Sequence, residues 1–133
     1  MNKSQKIILG IDYGLVNIGV SISEGTLAQP LASFKISTQQ EAINKICKIV
    51  QEKKIDKIVV GISENRMGQK TKEFVSKLGK IIKHPIVLWD ETLTSFEARE
   101  HLKTRGKSFK RTKAEEHKLA ACLILQDYLD SCQ

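Results

Sequence analysis

The fold of this 133-residue chain is decided by its first apolar stretch, Lys6-Ile7-Ile8-Leu9-Gly10-Ile11-Asp12-Tyr13-Gly14. Apolar residues occupy both alternating positions of this run, which is typical of a strand in the middle of a sheet that is covered on both faces. The run closes on a tyrosine and a glycine, which indicates a tight turn. The next segment, Asn17 to Ser23, alternates apolar and small or polar residues, so it predicts an antiparallel hairpin partner.

The rest of the chain alternates predicted strands and helices. Further strands are expected over residues 31–36, 57–62 and 86–90. Helices are expected near 39–53, 70–83, 95–104 and 113–130, and three of these follow a Thr-x-x-Glu capping box, at Thr38/Glu41, Thr94/Glu97 and Thr112/Glu115. An antiparallel start followed by βαβ crossovers predicts an α/β fold, with a mixed five-stranded sheet and helices on both faces. The length predicts a single domain over 1–133.

Composition narrows the classes of protein that remain. Hydrophobic residues make up 41% of the chain, so a folded core without disulfides is expected. The formal net charge of +7 favours a polyanionic partner. The three cysteines form no Cys-x-x-Cys pair, and no apolar run approaches the roughly 18–20 residues that span a membrane. We therefore expect a cytoplasmic protein with reduced cysteines and no membrane partner.

Acidic side chains follow three of the predicted strands. Asp12 ends the first strand, Glu64 follows the fourth, and Asp90 and Glu91 end the fifth. Functional groups in open α/β sheets collect beyond the carboxyl ends of the strands. A turn or a solvated surface explains any single one of these acids, but several at strand ends favour a shared site.

His117 lies on the inward face of the last predicted helix. It shares one stripe of that helix with Ala121, Ile124 and Tyr128, at spacings of four, seven and eleven residues. The histidine therefore points toward the sheet, either as a functional group or as a hydrogen-bonded core residue.

Basic residues are concentrated just before that helix. Eight Lys and Arg against three Glu lie between Arg99 and Lys118, a local net charge of +5. A solvated loop is the ordinary interpretation of such a run. Cations beside an acidic cluster also suit a phosphodiester backbone, and the candidates for phosphate contacts are Lys107, Lys110, Arg111 and Lys113.

Four stretches of the chain resemble the YqgF (RuvX) family of Holliday junction resolvases. They are Gly10-Ile11-Asp12-Tyr13-Gly14 with Asn17-Ile18-Gly19-Val20-Ser21; Ile58-Val59-Val60-Gly61-Ile62 with Asn65 and Gly68; Val87-Leu88-Trp89-Asp90-Glu91-Thr92-Leu93-Thr94-Ser95; and the helix from Leu119 to Asp130. The third stretch is the most specific. The match follows the family's order over nearly the whole chain.

The resemblance implies an RNase H-like fold, a cytoplasmic location and a nuclease. Its expected tasks are processing of the 5′ end of the 16S ribosomal RNA precursor and, by analogy, cleavage of Holliday junctions. Asp12 matches the family's first-strand acid, and Asp90 with Glu91 matches the acidic pair of its third motif. The chain departs from the family at His117, where an aspartate is usual, at Ser63 and Glu64, where a proline and an apolar residue are usual, and at Met67, where an aspartate or asparagine is usual.

These residues lead to a hypothesis of metal-dependent phosphodiester hydrolysis. Crowded carboxylates repel one another, and hard oxygen ligands suit Mg²⁺ or Mn²⁺, with two ions expected. Asp12 is the expected bridging ligand, with Asp90 or Glu91 as the second. His117 is a third ligand or a base for the attacking water, and Glu64 is a possible extra acid. The expected partners are structured RNA or branched DNA.

Two other classes of function are compatible with parts of the pattern. A catalytically impaired nucleic-acid-binding or ribosome-assembly module would follow if His117, which removes a negative charge, disables the site. A fragment of a sugar-kinase or actin-like ATPase shares the Gly-Ile-Asp-x-Gly opening, but a single domain without a Walker loop disfavours it. Resolvases generally place two active sites on two strands, so a homodimer is an alternative to a monomer. No apolar patch in the sequence identifies the interface of such a dimer.

Overall fold

The computed structural model describes residues 6–62, 66–90 and 113–132. Five strands lie in these ranges: β1 (Ile8–Tyr13), β2 (Asn17–Ser23), β3 (Ala28–Lys35), β4 (Lys57–Ile62) and β5 (Ile86–Asp90). The helices of the same ranges are α1 (Gln39–Lys53), α2 (Arg66–Gly79) and α3 (Lys113–Ser131). The predicted helix near 95–104 and its capping pair lie outside the described residues.

The strands form one mixed sheet in the order β3-β2-β1-β4-β5. Strand β1 pairs antiparallel with β2 and parallel with β4, while β2–β3 is antiparallel and β4–β5 parallel. All six residues of β1 are buried, as the apolar run predicts for a central strand. The sheet confirms the predicted architecture and places the carboxyl ends of β1, β4 and β5 at one edge.

Helices cover both faces of the sheet. Helices α1 and α2 lie over the larger core, where the Tyr13 ring stacks on Phe74 with centroids 4.4 Å apart. Helix α3 covers the other face over a smaller core that includes Ile8, Val59 and Leu125. Within the described ranges, no helix has the length and apolar character that crossing a membrane requires.

The start of α1 follows its predicted capping box. The Thr38 hydroxyl accepts a hydrogen bond from the Glu41 amide at 3.1 Å. The Glu41 carboxylate in turn accepts from the Ser37 amide at 2.6 Å, one residue before the expected partner. One amide of the first helical turn and the amide just before the N-cap residue are thereby satisfied.

Two boundaries differ from the sequence prediction. Strand β3 begins at Ala28 rather than at 31, although it contains Pro30. The proline is tolerated because β3 is the end strand of the described sheet and Pro30 lies opposite a register shift between Val20 and Ser21. Helix α2 spans 66–79 rather than 70–83, because it ends at Gly79 and closes with short-range bonds to the Leu78 carbonyl.

Candidate active site

The structure brings Asp12 and His117 into direct contact. The Nδ1 atom of His117 lies 2.7 Å from Oδ2 of Asp12, although the residues are 105 positions apart in the chain. Asp12 lies near the carboxyl end of β1, and His117 lies in the first half of α3. The two side chains are 13% and 28% exposed, so the pair is held by the fold and still reaches solvent.

Gly19 in β2 allows this contact. It is the residue directly opposite Asp12 in the β1–β2 pair. A Cβ at this position would overlap the backbone carbonyl of His117 and would lie 2.6 Å from the Lys118 nitrogen. Helix α3 therefore approaches the sheet backbone to backbone, which carries the His117 side chain over to Asp12.

Further small residues continue the close approach along α3. The buried Ser21 hydroxyl donates a hydrogen bond to the Ala121 carbonyl at 2.7 Å. A Cβ at Gly10 would lie 2.8 Å from the Leu125 Cβ, and a Cβ at Gly14 would lie 2.9 Å from the His117 Cε1. The helix axis and the imidazole ring are thus both fixed by positions that have room for no larger side chain.

The contact also determines the protonation pattern of the imidazole. An ionised carboxylate only accepts hydrogen bonds, so Nδ1 of His117 is the nitrogen that carries the proton toward Asp12. In the neutral ring, the lone pair then resides on Nε2, which can take a proton or coordinate a metal. Histidines in metal sites are commonly oriented in this way, by a carboxylate at the second ring nitrogen.

Two more polar residues occupy the same face and edge of the sheet. Asn17 and Lys35 are opposite one another in the β2–β3 pair, and strand alternation places both on the face of Gly19 and α3. Among the described residues, the Asn17 Oδ1 is a buried side-chain oxygen without a hydrogen-bond partner. Lys35 is exposed. The edge therefore combines a carboxylate, an imidazole, an unsatisfied amide oxygen and a cation.

The side chains of Asp12, Asn17 and His117 supply some of the ligand atoms that a divalent cation needs. Asp12 and Asn17 offer oxygen atoms, and His117 offers nitrogen, a set that suits first-row metals and Mg²⁺. The described ranges contain no cluster of three or more His, Cys, Asp or Glu side chains.

Asp90 lies on the other side of the sheet from Asp12. In β5, Val87 and Trp89 pack on the α3 side, whereas Ile86 packs on the side of α1 and α2. Strand alternation places Asp90 with Ile86 and away from the Asp12–His117 pair. The pleat thus places the Asp90 side chain on the face of α1 and α2.

Trp89 attaches the end of β5 to α3. Its indole Nε1 donates a hydrogen bond to the Asp127 carboxylate at 2.7 Å, and its ring meets Tyr128 edge to face with centroids 5.4 Å apart. Lys57 donates to the Tyr128 hydroxyl at 2.9 Å from the neighbouring strand. These contacts fix Trp89 against α3, one residue before β5 ends at Asp90.

The other candidate residues have the following places. Lys113 is the first residue of α3. The remaining candidates lie outside the described residues: Glu64, Glu91, Lys107, Lys110 and Arg111. The sequence patterns did not single out Gly19, Asn17 and Lys35 as site residues. A glycine inside a strand pattern is a signal of close backbone approach, and it was available at Gly19.

Sequence comparisons show which proteins the chain resembles. The family described as "RuvX: Holliday junction resolvase" matches residues 6–131. A protein of Thermoanaerobacter pseudethanolicus named "Putative pre-16S rRNA nuclease" is 41% identical over 134 residues, covering 93% of this chain and 96% of its own length. A protein of Bacillus cytotoxicus with the same name is 34% identical over 134 residues, covering 93% of this chain and 98% of its own length.

Solved structures show the same fold. Thermus thermophilus RuvC in complex with a Holliday junction substrate superposes with a TM-score of 0.64 at 13% identity, covering 96% of this chain and 97% of that one. The Fowlpox virus resolvase in complex with Holliday junction DNA gives a TM-score of 0.61 at 10% identity, covering 95% and 98%. The mixed sheet described above is therefore of the RNase H-like type.

Proposed function

The chain belongs to the RuvX family of Holliday junction resolvases, and we propose that it is a metal-dependent endonuclease acting on structured nucleic acid. The Asp12–His117 contact at the carboxyl edge of the sheet is the observation that carries the proposal. Its proposed substrates are the 5′ end of precursor 16S ribosomal RNA, after the name of its relatives, and Holliday junctions, after the description of its family.

The proposed cation is Mg²⁺ or Mn²⁺, held by Asp12 and the carboxylate of Glu91, while His117, whose Nδ1 faces Asp12, is the proposed ligand of a second ion through Nε2. Asp90 is the less suitable of the two neighbouring acids, because strand alternation points it to the opposite face. The amide oxygen of Asn17 is a fourth candidate donor, since it is buried and lacks a hydrogen-bond partner. A bound divalent ion, or a pair of ions, would supply Lewis-acid stabilisation and a more acidic water. The imidazole favours Mn²⁺.

His117 has a proposed role in moving a proton. Asp12 accepts the Nδ1 hydrogen, which holds the ring in one orientation and leaves the lone pair on Nε2. From Nε2 the ring either binds the cation or accepts the proton that the attacking water loses. When the ring accepts the proton, the carboxylate stabilises the resulting positive charge, and when the ring is a metal ligand, the same contact fixes its orientation.

The phosphate contacts come from the surrounding cations. Lys35 is exposed on the face that carries Asp12, and Lys113 begins the helix that carries His117. The basic run beyond the described residues adds Lys107, Lys110 and Arg111 as candidates. Contacts of this kind position a backbone and carry little sequence information, so recognition by shape is proposed.

Substitution of Asp12→Asn tests the assignment. It keeps the size of the side chain and removes its charge, so we expect cleavage to fall by about 10³-fold or more, by analogy with other buried catalytic aspartates. Thermal unfolding and nucleic-acid binding should change little. Glu52→Gln on the exposed surface of α1 makes the same chemical change away from the site and should cleave like the unsubstituted protein.

Unchanged cleavage by the Asp12→Asn protein would refute the assignment. Binding of RNA or junction DNA by the unsubstituted protein without any cleavage, in both Mg²⁺ and Mn²⁺, would instead favour the non-catalytic ribosome-assembly or nucleic-acid-binding module. His117→Asp installs the residue usual in the family. A faster cleavage rate in that variant would mean that the histidine impairs the site.

We also place the protein in the cytoplasm, where both proposed substrates occur. The three cysteines are free thiols in the structure, which suits a reducing compartment. A homodimer would provide two sites for the two strands of a junction, and sedimentation of the junction-bound protein would test for it.

A further inference from the structure

The turn between β1 and β2 exposes two adjacent apolar side chains beside the candidate site. Leu15 and Val16 are each 58% exposed and follow Asp12 by three and four residues. Four extended residues span at most about 14 Å, so both residues lie within about four nucleotide rises of any phosphate held at Asp12. Large exposed apolar residues elsewhere in the described ranges, such as Leu27, are not adjacent to the site.

The turn is fixed in place. The Val16 carbonyl accepts a hydrogen bond from the Ile36 amide at 2.7 Å. A Cβ on Gly14 would lie 2.6 Å from the Asn17 carbonyl and 2.9 Å from the His117 ring. The backbone on both sides of Leu15 and Val16 is thus packed, and the two side chains are held out into solvent by a rigid support.

The surroundings of the turn suit a nucleotide. Lys35 is exposed on the adjacent strand opposite Asn17, so a cation for a phosphate lies beside the apolar pair. A regular duplex presents mainly charged sugar-phosphate backbone to such a turn, because its base faces are covered by stacking. An unstacked base offers an apolar face, and aliphatic side chains are known to occupy this position as wedges.

We propose that Leu15 and Val16 form an apolar wedge against a nucleobase that has left the helical stack next to the cleaved phosphate. The preferred substrate class is then nucleic acid with an unstacked nucleotide, such as a branch point or a boundary between duplex and single strand. The inference rests on the proposed nuclease function for the location of the phosphate. It adds the feature by which the enzyme distinguishes such sites from regular duplex.

Fluorescence of 2-aminopurine tests the wedge separately from cleavage. The probe is a four-way DNA junction with 2-aminopurine at the branch, and the control probe is a linear duplex of the same sequence. Binding in EDTA should raise the fluorescence of the junction, because the base leaves its neighbours. The double variant Leu15→Ser/Val16→Ser should lose this rise and bind the junction about tenfold more weakly, while its affinity for the duplex is unchanged.

Two further variants sharpen the test. Leu27→Ser removes an even more exposed leucine (66%) from the β2–β3 turn, at the opposite edge of the sheet, and should retain the fluorescence rise. Leu15→Phe enlarges the apolar surface and should strengthen the rise. Circular dichroism and thermal unfolding of each variant should match the unsubstituted protein, because the replaced side chains are exposed.

The outcomes separate the wedge from the nuclease. An unchanged fluorescence rise in the double serine variant, an equal loss in Leu27→Ser, or no binding of the junction by the unsubstituted protein would overturn the wedge. A dimer that dissociates in the double serine variant without a change in fluorescence would overturn it as well, in favour of a contact between two copies of the chain. A rise that depends on Leu15 and Val16, with no cleavage in Mg²⁺ or Mn²⁺, would support the wedge while the nuclease proposal fails.

Discussion

Substitution of Gly19→Ala should disconnect His117 from Asp12 without touching either residue. The new Cβ would lie 2.6 Å from the Lys118 nitrogen, and ordinary contact begins near 3.4 Å, so the start of α3 must move by about 0.8 Å or more. The obstruction is backbone and has no rotamer that avoids it. The distance between Nδ1 of His117 and Oδ2 of Asp12 is 2.7 Å in the structure. A displacement of this size would lengthen it to about the limit for a hydrogen bond.

The expected cost has two parts. Overpacking of this kind destabilises a fold by about 1–3 kcal/mol, measurable as a lower midpoint of urea unfolding. A misplacement of about 1 Å in a catalytic group lowers the rate by about 100-fold, measurable as kcat on a precursor ribosomal RNA fragment or a four-way junction. Circular dichroism should remain that of the mixed α/β fold.

Gly79→Ala provides the matched control. The nearest atom to a Cβ there is the Ile86 Cδ1 at 4.0 Å, so the same change should be neutral or stabilising by about 0.4–1 kcal/mol, with full cleavage. If Gly19→Ala cleaves and unfolds like Gly79→Ala, the close approach of α3 does not position His117 and the reasoning fails. If Gly19→Ala is less stable but cleaves at the full rate, only the predicted loss of cleavage is refuted.

The remaining predictions concern the same helix and the thiols. Ser21→Ala removes a buried hydrogen bond to the α3 backbone and should lower the free energy of unfolding by about 1 kcal/mol, or Tm by about 4 °C. The control Ser76→Ala lies on the exposed surface and should change the free energy of unfolding by no more than about 0.5 kcal/mol. Equal Tm values for the two variants would contradict this. Burial raises the pKa of the thiols of Cys47 and Cys122, so at neutral pH the exposed Cys132 should react first with a disulfide reagent, and the other two should accelerate only at higher pH or in urea. Equal rates for all three in the native protein would refute it.

Much of the fold is encoded locally. The apolar run of β1 predicts a central strand, because only burial on both faces tolerates apolar side chains at every position. The capping box at Thr38 and Glu41 predicts the start of α1 from two side chains and the amides that they reach. The extent of β3 was not predictable in this way. Pro30 is acceptable there only because of its place in the sheet and the register shift opposite it.

The sequence nominates residues for the candidate site, but it does not give their geometry. Strand ends and helix periodicity select Asp12 and His117, but periodicity gives a direction and no distance. Their contact depends on Gly19, whose importance arises from a helix that lies far away in the sequence. The choice between Asp90 and Glu91 likewise needs the pleat of β5, because the apolar residues of that strand pack on both cores.

The separation of Asp12 and His117 in the chain has a consequence for biosynthesis. At about 5–20 residues per second, the ribosome needs roughly 5–20 s to add the 105 positions between them. During that time β1, β2 and β3 have already been made, but α3 has not, and the surface of Gly10 and Gly19 lies bare. A nascent chain thus lacks the Asp12–His117 contact until α3 has been made and has docked, so the proposed cleavage of ribosomal RNA precursor would begin only after that step.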